Sequence, residues 1–223
     1  MEFKQSHYDY SLFTQQKGSY LVVVLVYVDD LLVIENNLKL ITHVRKDLHV
    51  RFKMKDLGEL KYFLCIEFSR SEKGIQMCQR KCALELVSEL SLSGGNPLST
   101  SIASIEFDKA INKSANDDDN ELEDKGRCQS IVGRLLYLTM TRPYIAFVVQ
   151  VLSQFMHAPK QSHMSDAMRV IKYIKGTPSL GLFMLADADH KLTSYCDSNW
   201  GACVETRRSV TGYVIKFVEA LIS

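Results

Sequence analysis

The sequence predicts an α+β fold, and three observations carry that prediction. An apolar run from Tyr20 to Val28 is cut by Asp29-Asp30 and resumes at Leu31. Apolar residues then recur at helical spacing in several blocks between residues 38 and 174. Beyond residue 190 the chain returns to short strand-like strings. Strand blocks and helix blocks set apart along a chain give this class.

The first block reads as a β-hairpin. Tyr20-Leu21-Val22-Val23-Val24-Leu25-Val26-Tyr27-Val28 is rich in valine and aromatic residues, which suits a strand buried on both faces. Asp29-Asp30 fills a two-residue turn, and Leu31-Leu32-Val33-Ile34 is the returning strand. The run is too short to span a membrane, which takes ~20 apolar residues. The aspartates that follow it would be costly at membrane depth.

Leu38, Ile41, Val44 and Leu48 predict a helix over 38–51, with Asn36 or Asn37 as its N-cap. Residues 61–69 read as a strand, Gly74 as a turn, and Ile75-Gln76-Met77-Cys78 as the partner strand. Cys82, Leu86 and Leu90 mark a helix over 80–91, which Gly94-Gly95-Asn96-Pro97 breaks. Residues 93–127 have no hydrophobic period, and Asn116-Asp117-Asp118-Asp119-Asn120-Glu121 predicts a solvated linker. That run lacks the glycine and terminal glutamate of a calcium loop. Ile131, Val132, Leu135, Leu136 and Leu138 mark the next helix. Pro143 suits the first turn of another, which carries Ile145, Val148, Val149, Leu152 and Phe155. Met168, Ile171 and Ile174 mark a third, closed by Gly176-Thr177-Pro178. Residues 192–197 and 212–217 read as strands, with the start of another at Ala220-Leu221-Ile222.

Composition bounds the function classes. A chain of 223 residues, 46% hydrophobic and 24% charged, is neither disordered nor fibrous. Its net charge of +1 does not by itself mark a nucleic-acid binder. The charge is uneven: 13 basic and 12 acidic residues over 1–103, 4 and 8 over 104–127, 10 and 6 over 128–223. Met1 to His7 is polar, with no apolar leader core, so an intracellular protein, cytoplasmic or nuclear, is expected. The six cysteines are then expected as free thiols. Cys78 and Cys82 lack a second Cys/His pair at zinc-finger spacing.

The carboxylate pair is the first candidate for chemistry. Neighbouring aspartates repel, and a hard cation such as Mg²⁺ relieves that repulsion through carboxylate oxygens. A hairpin is a stiff support for such a pair. An exposed turn is the bland reading, since aspartate is common in turns.

The wider strings decide between the two. Tyr27-Val28-Asp29-Asp30 between apolar strands resembles the signature of the reverse-transcriptase palm. Ser11-Leu12-Phe13 and Phe52-Lys53-Met54-Lys55-Asp56-Leu57-Gly58-Glu59-Leu60-Lys61-Tyr62-Phe63-Leu64 flank it in the order and spacing of copia-type retrotransposon polymerases. Val132-Gly133-Arg134-Leu135-Leu136-Tyr137-Leu138, Thr141-Arg142-Pro143, Leu152-Ser153-Gln154-Phe155-Met156, Lys175-Gly176-Thr177, Tyr195-Cys196-Asp197-Ser198 and Thr206-Arg207-Arg208-Ser209-Val210-Thr211-Gly212-Tyr213 extend the resemblance over nearly the whole chain.

This resemblance implies a partial palm with the start of the thumb over 1–103 and an acidic linker over 104–127. It further implies a helical thumb and connection region over 128–189 and a truncated, ribonuclease H-like sheet over 190–223. Asp29 is implied as the main metal ligand and Asp30 as a weaker one, with Mg²⁺ as the cofactor and Mn²⁺ as a substitute. Tyr27 and Val28 would place the primer terminus. Lys53, Lys55 and Lys61 could meet phosphates, a solvated face being the alternative for each. Asp197 matches the first metal-binding carboxylate of ribonuclease H. An RNA or DNA template-primer and deoxynucleotides are the implied partners, with no membrane.

The same resemblance places the fingers and a first catalytic aspartate ahead of this chain. Glu2 and Asp9 fall in segments matching a helix end and its following turn, not in that role. The chain alone is therefore expected not to polymerise, and unpaired strand edges beyond residue 190 invite self-association. Three residues depart from the family's usual pattern: Cys65 for glycine, Tyr144 for aspartate and Asn199 for aspartate. A non-catalytic nucleic-acid-binding or protein-interaction remnant is the competing expectation, and a translated pseudogene product the third.

Overall fold

A computed structural model describes residues 3–35, 38–90, 120–186, 191–199, 201 and 209–222. The chain folds as two compact units, Met1–Phe63 and Leu64–Ser223.

The first unit is an antiparallel sheet with one long helix. Its strands are β1 (Lys4–Gln5), β2 (Leu12–Lys17), β3 (Tyr20–Tyr27) and β4 (Asp30–Glu35), hydrogen-bonded in that order. Helix α1 (Leu38–Phe52) follows, and the short strand β5 (Tyr62–Phe63) ends the unit. Alternate residues of a strand face opposite sides of its sheet. Val22 and Val24 of β3 are buried together with Val44 of α1, and Phe3, Phe13, Leu31, Val33 and Leu48 pack around them. Leu21, Val26 and Tyr27 are exposed. The expectation of a strand buried on both faces is thus corrected: α1 covers one face, so β3 alternates despite its continuous apolar sequence. The expected caps at Asn36 and Asn37 lie outside the described residues.

Two strands in this unit escape the hydrophobic pattern. β2 reads Leu-Phe-Thr-Gln-Gln-Lys, too polar to announce itself, and is held by pairing Phe13 with Val24 and Gln15 with Val22. β1 pairs Gln5 with Phe13. Asp9 lies in the turn that follows β1, as expected, and Glu2, matched to a helix end, lies outside the described residues.

The second unit carries two small antiparallel sheets and the main core. β6 (Ile66–Ser71), β7 (Gly74–Cys78) and β8 (Gly181–Leu185) pair in that order, as do β9 (Leu192–Asn199), β10 (Val210–Phe217) and β11 (Ala220–Leu221). The strand expected over 61–69 is broken by a turn at Leu64-Cys65, where φ is +47° and +63°. Close approach of β7 and β8 demands glycine at two places: a Cβ at Gly74 would overlap the Met184 carbonyl, and one at Gly181 the Met77 carbonyl.

Between β7 and β8 come α2 (Arg80–Glu89), α3 (Lys125–Leu138), a 3₁₀ turn (Pro143–Ile145), α4 (Ala146–Gln154) and α5 (Gln161–Gly176). The Asp124 carboxylate caps α3 by accepting from Arg127 N–H at 2.9 Å. Residue Leu122 is already buried, so the last residues of the expected acidic linker are part of the core's edge. Leu86, Leu135, Ile145, Val149, Val170 and Ile171 form the centre of one continuous helical core. The apolar spacing of three and four in each helix puts these residues on one stripe.

Gln79 and Arg142 are fully buried polar side chains of this unit. The Gln79 amide donates to the Tyr137 carbonyl at 3.1 Å and accepts from the Thr141 hydroxyl at 2.9 Å. The Arg142 guanidinium donates to the Pro178 carbonyl at 2.5 Å and hydrogen-bonds the Tyr144 phenol. Burial holds the Arg142 guanidinium below its usual pKa and pushes the Tyr144 phenol up to about 12.

Cysteine usage is also corrected. Cys65 and Cys82 are paired as a disulfide, with Cα atoms 6.3 Å apart, whereas Cys78, Cys128 and Cys196 are free thiols. The sequence carries no spacing rule that would mark such a pair.

Tyr144 makes stability pH-dependent at the alkaline end. Its folded pKa of about 12 lies above the ordinary tyrosine value of about 10, so the folded state retains a proton that the unfolded chain loses. The contribution is complete below pH 10 and falls away as pH rises through about 12. Urea unfolding across that window is expected to show a loss of stability that Tyr144→Phe reduces. An unchanged slope in the variant would contradict the burial of the phenol.

Candidate functional site

The site begins with the register of β3 and β4. Val24 lies opposite Val33, Val26 opposite Leu31, and Tyr27 opposite Asp30. The two turn residues are therefore Val28 and Asp29, not Asp29 and Asp30 as the sequence suggests. Asp30 instead opens β4. The register is fixed by the buried valines, because a slip of one residue would turn Val22 and Val24 away from α1.

Val28 adopts φ +50°, the left-handed region that suits glycine at the first turn position of a tight hairpin. For a β-branched residue that conformation costs ~1–2 kcal/mol. The side chain is 83% exposed, so no packing at the tip offsets the cost. Tyr27, Asp29 and Asp30 are exposed beside it. The hairpin thus presents two carboxylates, a phenol and an apolar tip to solvent on a rigid ladder.

A second turn lies at the same end of the sheet. Leu12 pairs with Leu25, and Val26 N–H donates to the Ser11 carbonyl at 2.9 Å. Asp9 sits in that turn, where its carboxylate accepts from Ser11 N–H at 2.9 Å and from the Ser11 hydroxyl at 2.6 Å. The Ser11 hydroxyl, then its backbone N–H, hold the Asp9 carboxyl below its usual pKa. Asp9 is committed to its own turn. Among the described residues no group of three His, Cys, Asp or Glu side chains is placed to hold a metal ion.

The three lysines follow α1. Lys53 closes the helix at φ +50°, its N–H donating to the His49 carbonyl at 2.9 Å. Lys55 and Lys61 are exposed on the irregular stretch that leads to β5. Arg45 organises this stretch, and the sequence gives no hint of it. Its guanidinium reaches Asp56 at 3.2 Å, and Asp56 accepts from Gly58 N–H at 2.8 Å. The pair is eleven residues apart, outside any local spacing rule. His49 and the Met54 carbonyl, 2.5 Å apart, add a further tie.

Asp197 belongs to the second unit. It is exposed on β9 opposite Gly212 of β10. The structure therefore brings Tyr27, Val28, Asp29 and Asp30 together at one hairpin, places the lysines on one segment of the same unit, and sets Asp197 in the other unit.

Residues 1–104 match the family described as reverse transcriptase, an RNA-dependent DNA polymerase. An uncharacterized mitochondrial protein of Arabidopsis thaliana is 33% identical over 190 residues, which are 85% of this chain and 76% of that protein. The chain belongs to the reverse transcriptase family. The Retrovirus-related Pol polyprotein from transposon RE1 of Arabidopsis thaliana is 35% identical over 213 residues. That from transposon TNT 1-94 of Nicotiana tabacum is 28% identical over 211. The chain corresponds to a segment of such polyproteins, spanning 14% of the RE1 polyprotein's length. No solved structure matches it. Reverse transcriptases act on nucleic acids and depend on divalent metal ions. Among the described residues no helix is long and apolar enough to cross a membrane.

The backbone of the hairpin tip is open to test. Val28→Gly removes the left-handed penalty and is expected to raise stability by about 0.5–1 kcal/mol, after the entropy that glycine adds to the unfolded chain. Amide exchange over β3 and β4 would read it. A variant less stable than the parent would contradict the left-handed tip.

Proposed function

We propose that this chain carries the catalytic hairpin of a copia-type RNA-directed DNA polymerase. Residues 1–103 would be part of the palm and the start of the thumb, 104–127 an acidic linker, 128–189 the thumb and connection, and 190–223 the beginning of a ribonuclease H domain. The observation that carries the reading is the hairpin itself. Asp29 and Asp30 stand at a solvent-facing tip whose position is fixed by the Tyr27 and Asp30 pairing.

Carboxylate oxygens are the donors that Mg²⁺ prefers, with Mn²⁺ as a substitute. In this reading Asp29 is the principal ligand and Asp30 the weaker one. When bound, two divalent ions supply charge stabilisation to the attacking primer 3′-oxygen and to the leaving pyrophosphate. The exposed Tyr27 ring and Val28 side chain seat the primer terminus. Lys53, Lys55 and Lys61 meet backbone phosphates, a contact that weakens as salt rises. In this reading a further carboxylate, implied by the resemblance, completes the ligand set. Asp197 would contribute to a ribonuclease H site in the same dependent way. Among the described residues β9 is an edge strand of its sheet, which supports pairing with another strand, from the same polyprotein or a second copy.

The test is complementation. This chain replaces the corresponding segment of the RE1 polyprotein, and primer extension is measured on an RNA template with Mg²⁺. The chimera is expected to extend, and Asp29→Asn to lower the rate by at least about 100-fold. Asp30→Asn is expected to have a smaller effect, and template-primer affinity to stay within a few-fold. A chimera that binds template-primer but extends nothing, or full activity in Asp29→Asn, would overturn the proposal.

A further inference from the structure

The structure sorts the described cysteines. Cys128 is buried in the helical core, Cys196 is exposed on β9, and Cys78 is half-buried on β7. Cys65 and Cys82 alone among the described cysteines are paired. They are 17 residues apart, with Cα atoms 6.3 Å apart, inside the range that a disulfide spans without moving the backbone.

The pair joins two dissimilar elements. Cys65 sits in the turn before β6, where it and Leu64 both have positive φ. Two consecutive non-glycine residues in that region are sterically unfavourable, so other contacts must hold them. The Tyr137 hydroxyl donates to the Leu64 carbonyl from α3. The bond to Cys82 ties Cys65 to the first turn of α2. Both cysteines are half-buried rather than sealed. Cys82 also lines a cavity of about 330 Å³ together with Glu85, Arg134 and Tyr137, which gives a small reagent a way in.

We propose that Cys65 and Cys82 are a reversible redox couple that locks the Leu64-Cys65 turn onto α2. The reagent class is a low-molecular-weight disulfide and its thiol. One cysteine thiolate attacks the small disulfide, forming a mixed disulfide and releasing one small thiolate. The second cysteine thiolate then attacks the cysteine sulfur of that mixed disulfide and displaces the second small thiolate. The two cysteine thiols lose two electrons and two protons, and the small disulfide becomes two thiols. Excess thiol reverses both steps. In the oxidised chain the turn is held from α2 and α3 together. In the reduced chain the tie to α2 is lost, while the Tyr137 hydroxyl still donates to the Leu64 carbonyl. The inference stands on the cysteine geometry and does not depend on the polymerase reading.

The full chain is equilibrated in glutathione buffers from fully reduced to fully oxidised, then alkylated, digested and mapped by mass spectrometry. Oxidation is expected to link the Cys65 and Cys82 peptides while Cys78 and Cys128 take the alkyl label. Thermal melts are expected to fall by about 6–12 °C on reduction. Cys65→Ser and Cys82→Ser should each melt like the reduced parent and lose the redox response, and Cys78→Ser should keep it. Should one serine variant fail to fold, the reduced parent provides the same comparison. Labelling of both Cys65 and Cys82 in every buffer would overturn the proposal. So would linkage through Cys78, or a link that leaves the melt unchanged.

Discussion

The pairing of Tyr27 with Asp30 is the constraint on which the candidate site depends. It closes the hairpin over two residues and leaves one aspartate in the turn and the other at the root of β4. The sheet can hold this tip because Val22 and Val24 are locked against Val44 and Leu48 of α1. Burial of one face therefore fixes the register, and the register fixes the carboxylates. Val28 bears a backbone cost at the tip without packing in return, as residues at functional positions often do.

A different constraint organises the second unit. Its helices meet on a continuous apolar core, yet the junctions between them are set by buried polar groups. Gln79 joins the start of α2 to the end of α3 and to Thr141. Arg142 reaches across to Pro178, beyond α5, and leaves Nε and Nη1 without a partner among the described residues. A buried guanidinium without a carboxylate is costly. An aspartate at position 144, the residue expected there from the resemblance, would provide one. Tyr144 offers only a hydroxyl, and its edge-on contact with Tyr173 at 6.3 Å fills the space.

Much of this was legible in the sequence, and the gaps have physical causes. Helices α1 to α5 showed because each buries one stripe, which stamps a period on the chain. The hairpin showed because valine-rich runs flank a polar pair. The turn was misplaced by one residue because a left-handed valine contradicts local preference, and only the pairing ladder reveals it. β2 and β8 were missed because short strands take their stability from the strands they pair with, β1 and β3 for β2 and β7 for β8, rather than from their own pattern. The break at Leu64-Cys65 was missed for a similar reason, since tertiary ties hold it. Cys65 takes a conformation that glycine adopts without cost. Arg45 and Asp56, like Cys65 and Cys82, meet only once the chain has folded.

The central claim is that the hairpin tip is a divalent-ion ligand and not merely an acidic turn. Paramagnetic broadening by Mn²⁺ tests it most directly, read amide by amide in the NMR spectrum of the chain. The account predicts broadening centred on residues 27–31 at millimolar Mn²⁺, lost in Asp29→Asn while the rest of the spectrum is unchanged. Broadening spread evenly over acidic surface residues, or a tip response that survives Asp29→Asn, would contradict it.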